Sequence, residues 1–342
     1  MTGRLLLDHV GPQISLQDRG RPGLMRYGIP PSGPMARICH RVLSSALGGE
    51  NLTCIEASLG GLTAIWHGPP VTAAFVGGRF DIALGEQVLA PWSVFEISPG
   101  QSLKVKAGKA GAWGYLGLLG DWDVPSWQGS ASAHVPSAIN GAMLTSGAEI
   151  RIQNPKMIPS LKATLPVPDF AEAPTHLDIV MGPQDGFFDP ETQKTLLQSP
   201  FKVSARGDRM GRRLVGERLP INGTLTMPSE ALMRGAVQIA GDLQPTILLA
   251  DHQTTGGYPK IATLSTASTE KFVQARPGDP IQFRAICVEE AIQSRRKLER
   301  EVVRYLAQIP TYRGSLQERL ARSNLISGVI NAQKDPAQTS SD

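Results

Sequence analysis

The sequence predicts a mainly β protein built as two β-rich halves. Three observations carry that reading. Gly 36 and Pro 27 among 342 residues favour turns and short strands over long helices. Between Leu52 and Leu119 the runs "TCIEASLG", "VTAAFVGG", "WSVFEIS", "SLKVKAG" and "AWGYLGLL" are punctuated by Gly or Pro every eight to twelve residues, the spacing of a β-barrel or sandwich. Five prolines between Asn154 and His176 then mark a linker, and a chain of this length exceeds the usual single core.

The elements follow in order. "GRLLLDHV" is a first strand, and the loop after it, "GPQISLQDRGRPGLMRYGIPPSG", is long and rich in Gly, Pro and Arg, the mark of a functional loop. Pro34 opens a helix at its preferred first position, with Met35, Ile38, Val42, Leu43, Ala46 and Leu47 on one face and Gly48-Gly49 as its stop. The β-runs fill the rest of an N-terminal β-domain over residues 1–153, with a loop-like tract from Asp121 to Gly147. A Pro-rich linker spans 154–175 and a second β-domain 176–287, where "MGPQ" echoes the earlier "HVGPQ" and Pro190 to Gln198 forms a short helix. Residues 288–333 are a helical extension. Val288, Ile292, Leu298, Val302 and Tyr305 share one face there, and Ser315 with Glu318 forms a second helix's capping box. This extension is expected to be separable from the chemistry, a docking or dimer surface, and residues 334–342 to be a disordered tail.

Composition excludes several classes. A net charge of +4 is too small to argue for nucleic acid, and no apolar run approaches the eighteen or so residues of a membrane span. Cys39, Cys54 and Cys287 form no CxxC pair, which argues against a disulfide scaffold or zinc site and fits a reducing compartment. No secretory signal is visible, so a cytoplasmic location is expected. The six histidines never fall at metal-ligand spacing, and no metal is expected. Walker, dinucleotide, nucleophile-elbow and HExxH motifs are absent.

Polar stretches supply the candidates. "LLADHQTTGGYPKIATLSTA" reads as a strand, a stiffened donor-rich loop and a second strand. Asp251, His252 and Lys260 are its acid–base candidates, Gln253, Thr254, Thr255 and Tyr258 its hydrogen-bonding groups. Gly256 and Gly257 permit positive φ or close approach to a ligand. "QDRGRPGLMRYGIPPSG" offers Asp18, Arg19, Arg21, Tyr27 and Ser32, arginine among glycines suiting carboxylate, carbamate or phosphate. Asp208 (catalytic) and Arg209 (binding) precede Met210-Gly211, although an adjacent Asp-Arg pair often only braces its own turn. Glu56, within a strand of small and apolar residues, must be paired if buried.

Together "GPQISLQDRGRPGLMRYGIPPSGPMA", "IEASLGG", "DRMGRRLVG" and "LLADHQTTGGYPKIA" resemble the biotin-dependent carboxyltransferase family over about Leu5 to Phe283. That family includes the second part of the urea amidolyase carboxyltransferase, the KipA proteins and the C subunit of bacterial 5-oxoprolinase. The resemblance implies two β-barrel domains of cyclophilin-like type and partner subunits: a KipI-like B subunit and, in 5-oxoprolinase, a further LamB/YcsF-like A subunit. It leaves three functions open. The first is the C-subunit role in an ATP-dependent 5-oxoprolinase, with a small cyclic amide as substrate and ATP used with the partners. The second is carboxyl transfer with carboxybiotin supplied on another chain, since no Ala-Met-Lys-Met attachment sequence occurs. The third is a KipA-like protein that antagonises a kinase inhibitor without catalysis. The chain departs from the family at His252 (usually Arg), at Gly207 (usually Ser), in the loop "SASAHVPSAINGAMLTSG" and in its longer C-terminal extension.

Overall fold

Strand Thr2–Val10 does not pair with its sequence neighbour; it lies between Leu62–His67 and Glu149–Gln153, antiparallel to both. A computed structural model describes residues 1–49, 51–223 and 227–314 of the protein, and in it the first half is two sheets of seven and six strands. Alternating side chains of both face one another: Leu5, Trp66, Val105 and Ile152 from the larger, Ile55, Phe75, Phe95 and Leu116 from the smaller, in one core. The expected first barrel thus takes the form of two facing sheets. The smaller sheet is buried on its other face too, where Ala74, Val76 and Tyr115 join a second core with helix α1 (Arg37–Ala46). That explains why "VTAAFV" is apolar or small throughout rather than alternating.

The second half closes into a seven-stranded barrel in the order His176–Met181, Lys260–Leu264, Ala236–Ile239, Pro245–Leu248, Gly211–Val215, Phe201–Gly207, Pro280–Ala285. Leu214, Val237, Ile239 and Ile247 fill its interior. Helix α2 (Pro190–Gln198) lies where the sequence places it, with Pro190 in the first turn and the Asp189 carboxylate accepting from Thr192 N at 2.7 Å.

Three expectations need correction. Helix α1 begins at Arg37 rather than Pro34: Ala36 has non-helical backbone (φ −104°, ψ 89°), and the Met35 and Ala36 N–H groups are tied to Glu56 and the Tyr115 hydroxyl. Helix α3 (Thr266–Phe272) was expected as β-structure; Ser265 caps it. Helix α4 (Val288–Gln308) packs into the core rather than standing apart as an extension. Leu298, Val302 and Tyr305 are buried, and the Tyr305 ring packs edge-on to Trp92 and Phe170 while its hydroxyl donates to Pro166 O at 2.7 Å. Only its first turns stand clear, with Val288 54% and Ile292 46% exposed, so these two leave the expected apolar face. Residues 154–175 are likewise fastened down, Leu161, Leu165 and Phe170 being buried and Ala163–Thr164 pairing with Ser93–Val94. The expected capping box at Ser315 and the tail lie outside the described residues. No helix among the described residues is long and apolar enough to cross a membrane.

Candidate functional site

The two halves are joined by a sealed ionic node. The Arg209 guanidinium, on the turn before strand Gly211–Val215, donates from Nε and Nη2 to both Asp251 oxygens (2.8 and 2.9 Å), from Nη2 to Gly33 O (2.6 Å) and from Nη1 to Glu56. The other Glu56 oxygen accepts from Met35 N (2.7 Å) and the Tyr115 hydroxyl (2.8 Å). Burial works against the Arg209 charge, but Asp251 and Glu56 outweigh it and hold the guanidinium above its ordinary value. Burial pushes the Glu56 carboxyl up, with Arg209 opposing. So Glu56, Arg209 and Asp251, three of the expected site residues, do come together, across the domain boundary. With its carboxylate held by two guanidinium N–H groups, Asp251 is a poor general base.

Further contacts continue this seam. Arg234, which no sequence pattern singles out, donates to Pro34 O and Met35 O at the start of α1 and pairs with Glu270 at 3.4 Å. Glu270 also accepts from Ile38 N at 3.2 Å. Gln274 caps Ala112 N and Trp113 N, and Arg276 donates to Gly108 O and Gly111 O. Arg234, and after it burial, pushes the neighbouring Arg37 guanidinium down to about 10. His252 is buried, its Nδ1 at 2.6 Å from Gln253 O. Burial lowers its pKa, and the charges of Arg234 and Arg37 act the same way, so the neutral ring is favoured.

The 18–33 loop is held from inside. Asp18 accepts from Gly20 N, Ala131 N and the hydroxyls of Ser130 and Ser132. Burial pushes its carboxyl up, but those four hydrogen bonds outweigh it and hold the group below its ordinary value. Its acceptors are therefore committed to the loop, a structural use rather than the expected ligand contact. Arg21 is buried and donates to Trp127 O and Ser132 O, while its Nη1 and the Ser32 hydroxyl have no partner among the described residues. Arg19 and Tyr27 are exposed, the latter under the Arg26 guanidinium at 4.8 Å.

The 251–260 loop divides its residues between two sides. Lys260 is buried in its strand and its Nζ meets Glu230 at 3.3 Å, so its charge is paired rather than offered to a ligand. Thr255–Gly256 pairs with Glu230–Ala231, and Thr254 O accepts from Leu232 N. Neither Gly256 nor Gly257 has positive φ. A Cβ at Gly257 would lie 2.8 Å from Met227 O and one at Gly256 2.8 Å from the Leu232 side chain, so the glycines allow approach of the 227–232 segment rather than of a ligand. Tyr258 and Gln253 are exposed.

Gln253 faces the open recess, about 440 Å³, on the outer barrel wall. Strand register builds its floor. Gly211 opposes Leu248, Arg213 opposes Thr246, and Thr246 opposes Gln238, so these side chains share the face opposite to Leu214, Val237 and Ile247. Asp208, Met210 and Arg206 form the rim. Asp208 accepts from Met210 N (2.7 Å) with one oxygen, bracing its turn, and no hydrogen bond reaches the other among the described residues. Arg206 and Gln238 were missed: each sits in an ordinary strand pattern, and only pairing register brings them to Gln253. No group of three or more His, Cys, Asp or Glu that could hold a metal occurs among the described residues.

A family described as "Carboxyltransferase domain, subdomain A and B" matches residues 27–285. The chain belongs to that family. This carboxyltransferase-domain chain is 31% identical over 297 residues to the 5-oxoprolinase C subunit of Haemophilus influenzae, covering 85% of itself and 94% of that relative. Among solved structures it is similar to TTHA0988 (TM-score 0.74, 29% identity), over 82% of this chain and 56% of that one. It is also similar to the Kluyveromyces lactis urea amidolyase (TM-score 0.76, 26% identity), over 88% of this chain and 20% of that one. The carboxyltransferase-domain chain thus spans about half of one solved chain and a fifth of the other.

Proposed function

We propose that this chain is the C component of an ATP-dependent 5-oxoprolinase, acting with a KipI-like B subunit and a LamB/YcsF-like A subunit. The observation that carries the reading is co-extension: the chain accounts for 94% of a free-standing 5-oxoprolinase C subunit but only 20% of a urea amidolyase. The lactam of 5-oxoproline is a resonance-stabilised amide, and ATP would supply the activation of its oxygen. Anionic oxygens fit the unpartnered Arg21 Nη1 and Ser32 hydroxyl, and the pair Arg37 and Arg234, better than they fit the sealed node. In this reading Asp251 and Arg209 hold the two domains in register, while Asp208 and Gln253 line the open side.

The test is co-expression with both partner types, followed by 5-oxoproline-dependent ATP hydrolysis and glutamate release. The expected result is turnover by the assembled complex and none by the isolated chain. Full turnover without partners would overturn it. A second reading, carboxyl transfer of the urea amidolyase kind, is favoured by the likeness to the K. lactis enzyme. Carboxybiotin-dependent urea carboxylation by the complex would establish it. Assembly with neither activity would leave the KipA-like binding role.

A further inference from the structure

The outer barrel wall carries a recess in which polar groups of complementary kinds keep atoms that the fold leaves unused. The Gln238 side chain is buried, and its Nε2 donates to Tyr258 O at 3.3 Å. A carbonyl can only accept, so the amide orientation is settled and Oε1 remains as an acceptor. No hydrogen bond reaches that oxygen among the described residues. Gln253, exposed at the recess with its amide nitrogen against the same Gly256 that Gln238 approaches, offers a carboxamide with both a donor and an acceptor. Of the two rim arginines, Arg213 is engaged by Asp242 at 2.7 Å, whereas Arg206 has no ion pair among the described residues. Leu248 and Met210 add an apolar surface between these groups. The lining is mainly polar, with Asp208 and Thr246 beside these groups and only Met210 and Leu248 as larger apolar side chains; a small-molecule site is fixed by such convergent polar groups.

The ligand follows from the chemistry of the lining. A ring that contains a cis amide shows an N–H and a C=O on adjacent atoms, the pattern that two carboxamides can meet with one acceptor and one donor. An extended trans amide points the two groups in opposite directions and cannot. A free guanidinium at the rim adds a charge-assisted partner for a carboxylate. We propose that the recess binds a small ring carrying a cis amide and a carboxylate. The ring N–H is donated to Gln238 Oε1, the ring carbonyl accepts from the Gln253 amide, and the carboxylate pairs with Arg206. This rests on the 5-oxoprolinase reading, since the lactam of 5-oxoproline is such a ring; the ureido ring of biotin shares the amide chemistry.

The experiment uses the full chain and three probes in calorimetric titrations: L-5-oxoproline, biotin and L-proline, which keeps the ring and carboxylate but lacks the amide. Gln253→Ala and Arg206→Met are chosen because both side chains are exposed and neither holds the fold. The expected result is saturable 5-oxoproline binding, weakened about tenfold by either variant, the effect of losing one good hydrogen bond to a charged or fixed partner. L-proline should bind at least about tenfold more weakly for the same reason. Biotin binding that depends on Gln253, with no 5-oxoproline binding, would support the cis-amide site and identify the ureido ring as its occupant. Binding of neither ring, or binding indifferent to both variants, overturns the inference. Steady-state kinetics of the assembled complex separate the two claims. Turnover of 5-oxoproline with KM unchanged in both variants would sink the recess and leave the 5-oxoprolinase reading standing.

Discussion

Arg209→Met asks the most direct question of the domain seam. The substitution keeps an unbranched apolar stem but removes the guanidinium that both carboxylates share, leaving Asp251 and Glu56, 1% and 0% exposed, facing each other across the vacated space. Breaking a buried pair by removing one partner costs about 3–5 kcal/mol. Here two carboxylates lose the same partner, so the upper end, about 5 kcal/mol, is expected, a large share of the roughly 5–15 kcal/mol that holds a domain folded. Glu56 keeps its hydrogen bonds from Met35 N and Tyr115, which limits the loss. The sign with pH is fixed as well. Burial already raises the Glu56 carboxyl, and without Arg209 nothing cationic opposes it. A raised carboxyl contributes stability that is complete below its unfolded value, about 4.3, and is lost as pH rises through the folded value. The deficit against the parent protein should therefore be larger near pH 8 than near pH 5, by about 1 kcal/mol or more. Guanidinium chloride unfolding at both pH values measures it, with Lys194→Met as control, since that residue's 3.7 Å pair with Glu191 is exposed and worth at most about 0.5 kcal/mol. A deficit below about 1 kcal/mol, or one that ignores pH, would refute the argument that the node is a desolvated joint.

Lys260→Met should leave turnover of the assembled complex within about threefold and lower stability by about 1 kcal/mol, because the ammonium is paired with Glu230; a hundredfold fall in kcat would restore it to the chemistry. Deleting residues 287–342 uncovers Trp92 and Phe170 and removes the buried Leu298, Val302 and Tyr305, each worth about 1.5–3 kcal/mol. Loss of cooperative unfolding is expected, and a soluble product with parental melting behaviour would contradict it. His40 and His252 are both held below 6.5, chiefly by burial. The unfolded chain therefore takes up protons first, and stability should fall as pH drops below about 6.5. The double variant His40→Gln, His252→Gln should flatten that slope between about pH 5 and 7, and an unchanged slope would assign it elsewhere.

Local pattern made much of this molecule legible. Pro190 after Asp189 carries its own helix start, and the turn-spaced runs of the first half could be little else than strands. Other features depend on partners far away in sequence. The start of α1 lies at Arg37, with Met35 and Ala36 held outside the helix and tied to Glu56 and Tyr115. Val288 and Ile292 share a helical period with Leu298 and Val302, yet nothing among the described residues covers them. At the candidate site, adjacent letters parted company. Asp208 faces outward and Arg209 inward, and Gln253 lines an open recess one residue after the buried His252. Strand alternation accounts for Gln238 joining Gln253, but register across three strands is not written in any one of them.

The position of the first strand bears on how the protein is made. Thr2 pairs with Gln153, a separation of 151 residues, and Leu62–His67 occupies the strand's other edge. On the ribosome, residues 2–10 emerge long before residues 149–153, and until then the edge those residues cover stays open. At roughly 5–20 residues per second that interval lasts about 7–30 seconds, far longer than a local hairpin needs. Contacts so remote slow productive folding, and an uncovered apolar strand edge is a template for intermolecular pairing. Yield on overexpression should therefore respond to chaperones that shield this strand during synthesis more than to any treatment of the finished fold.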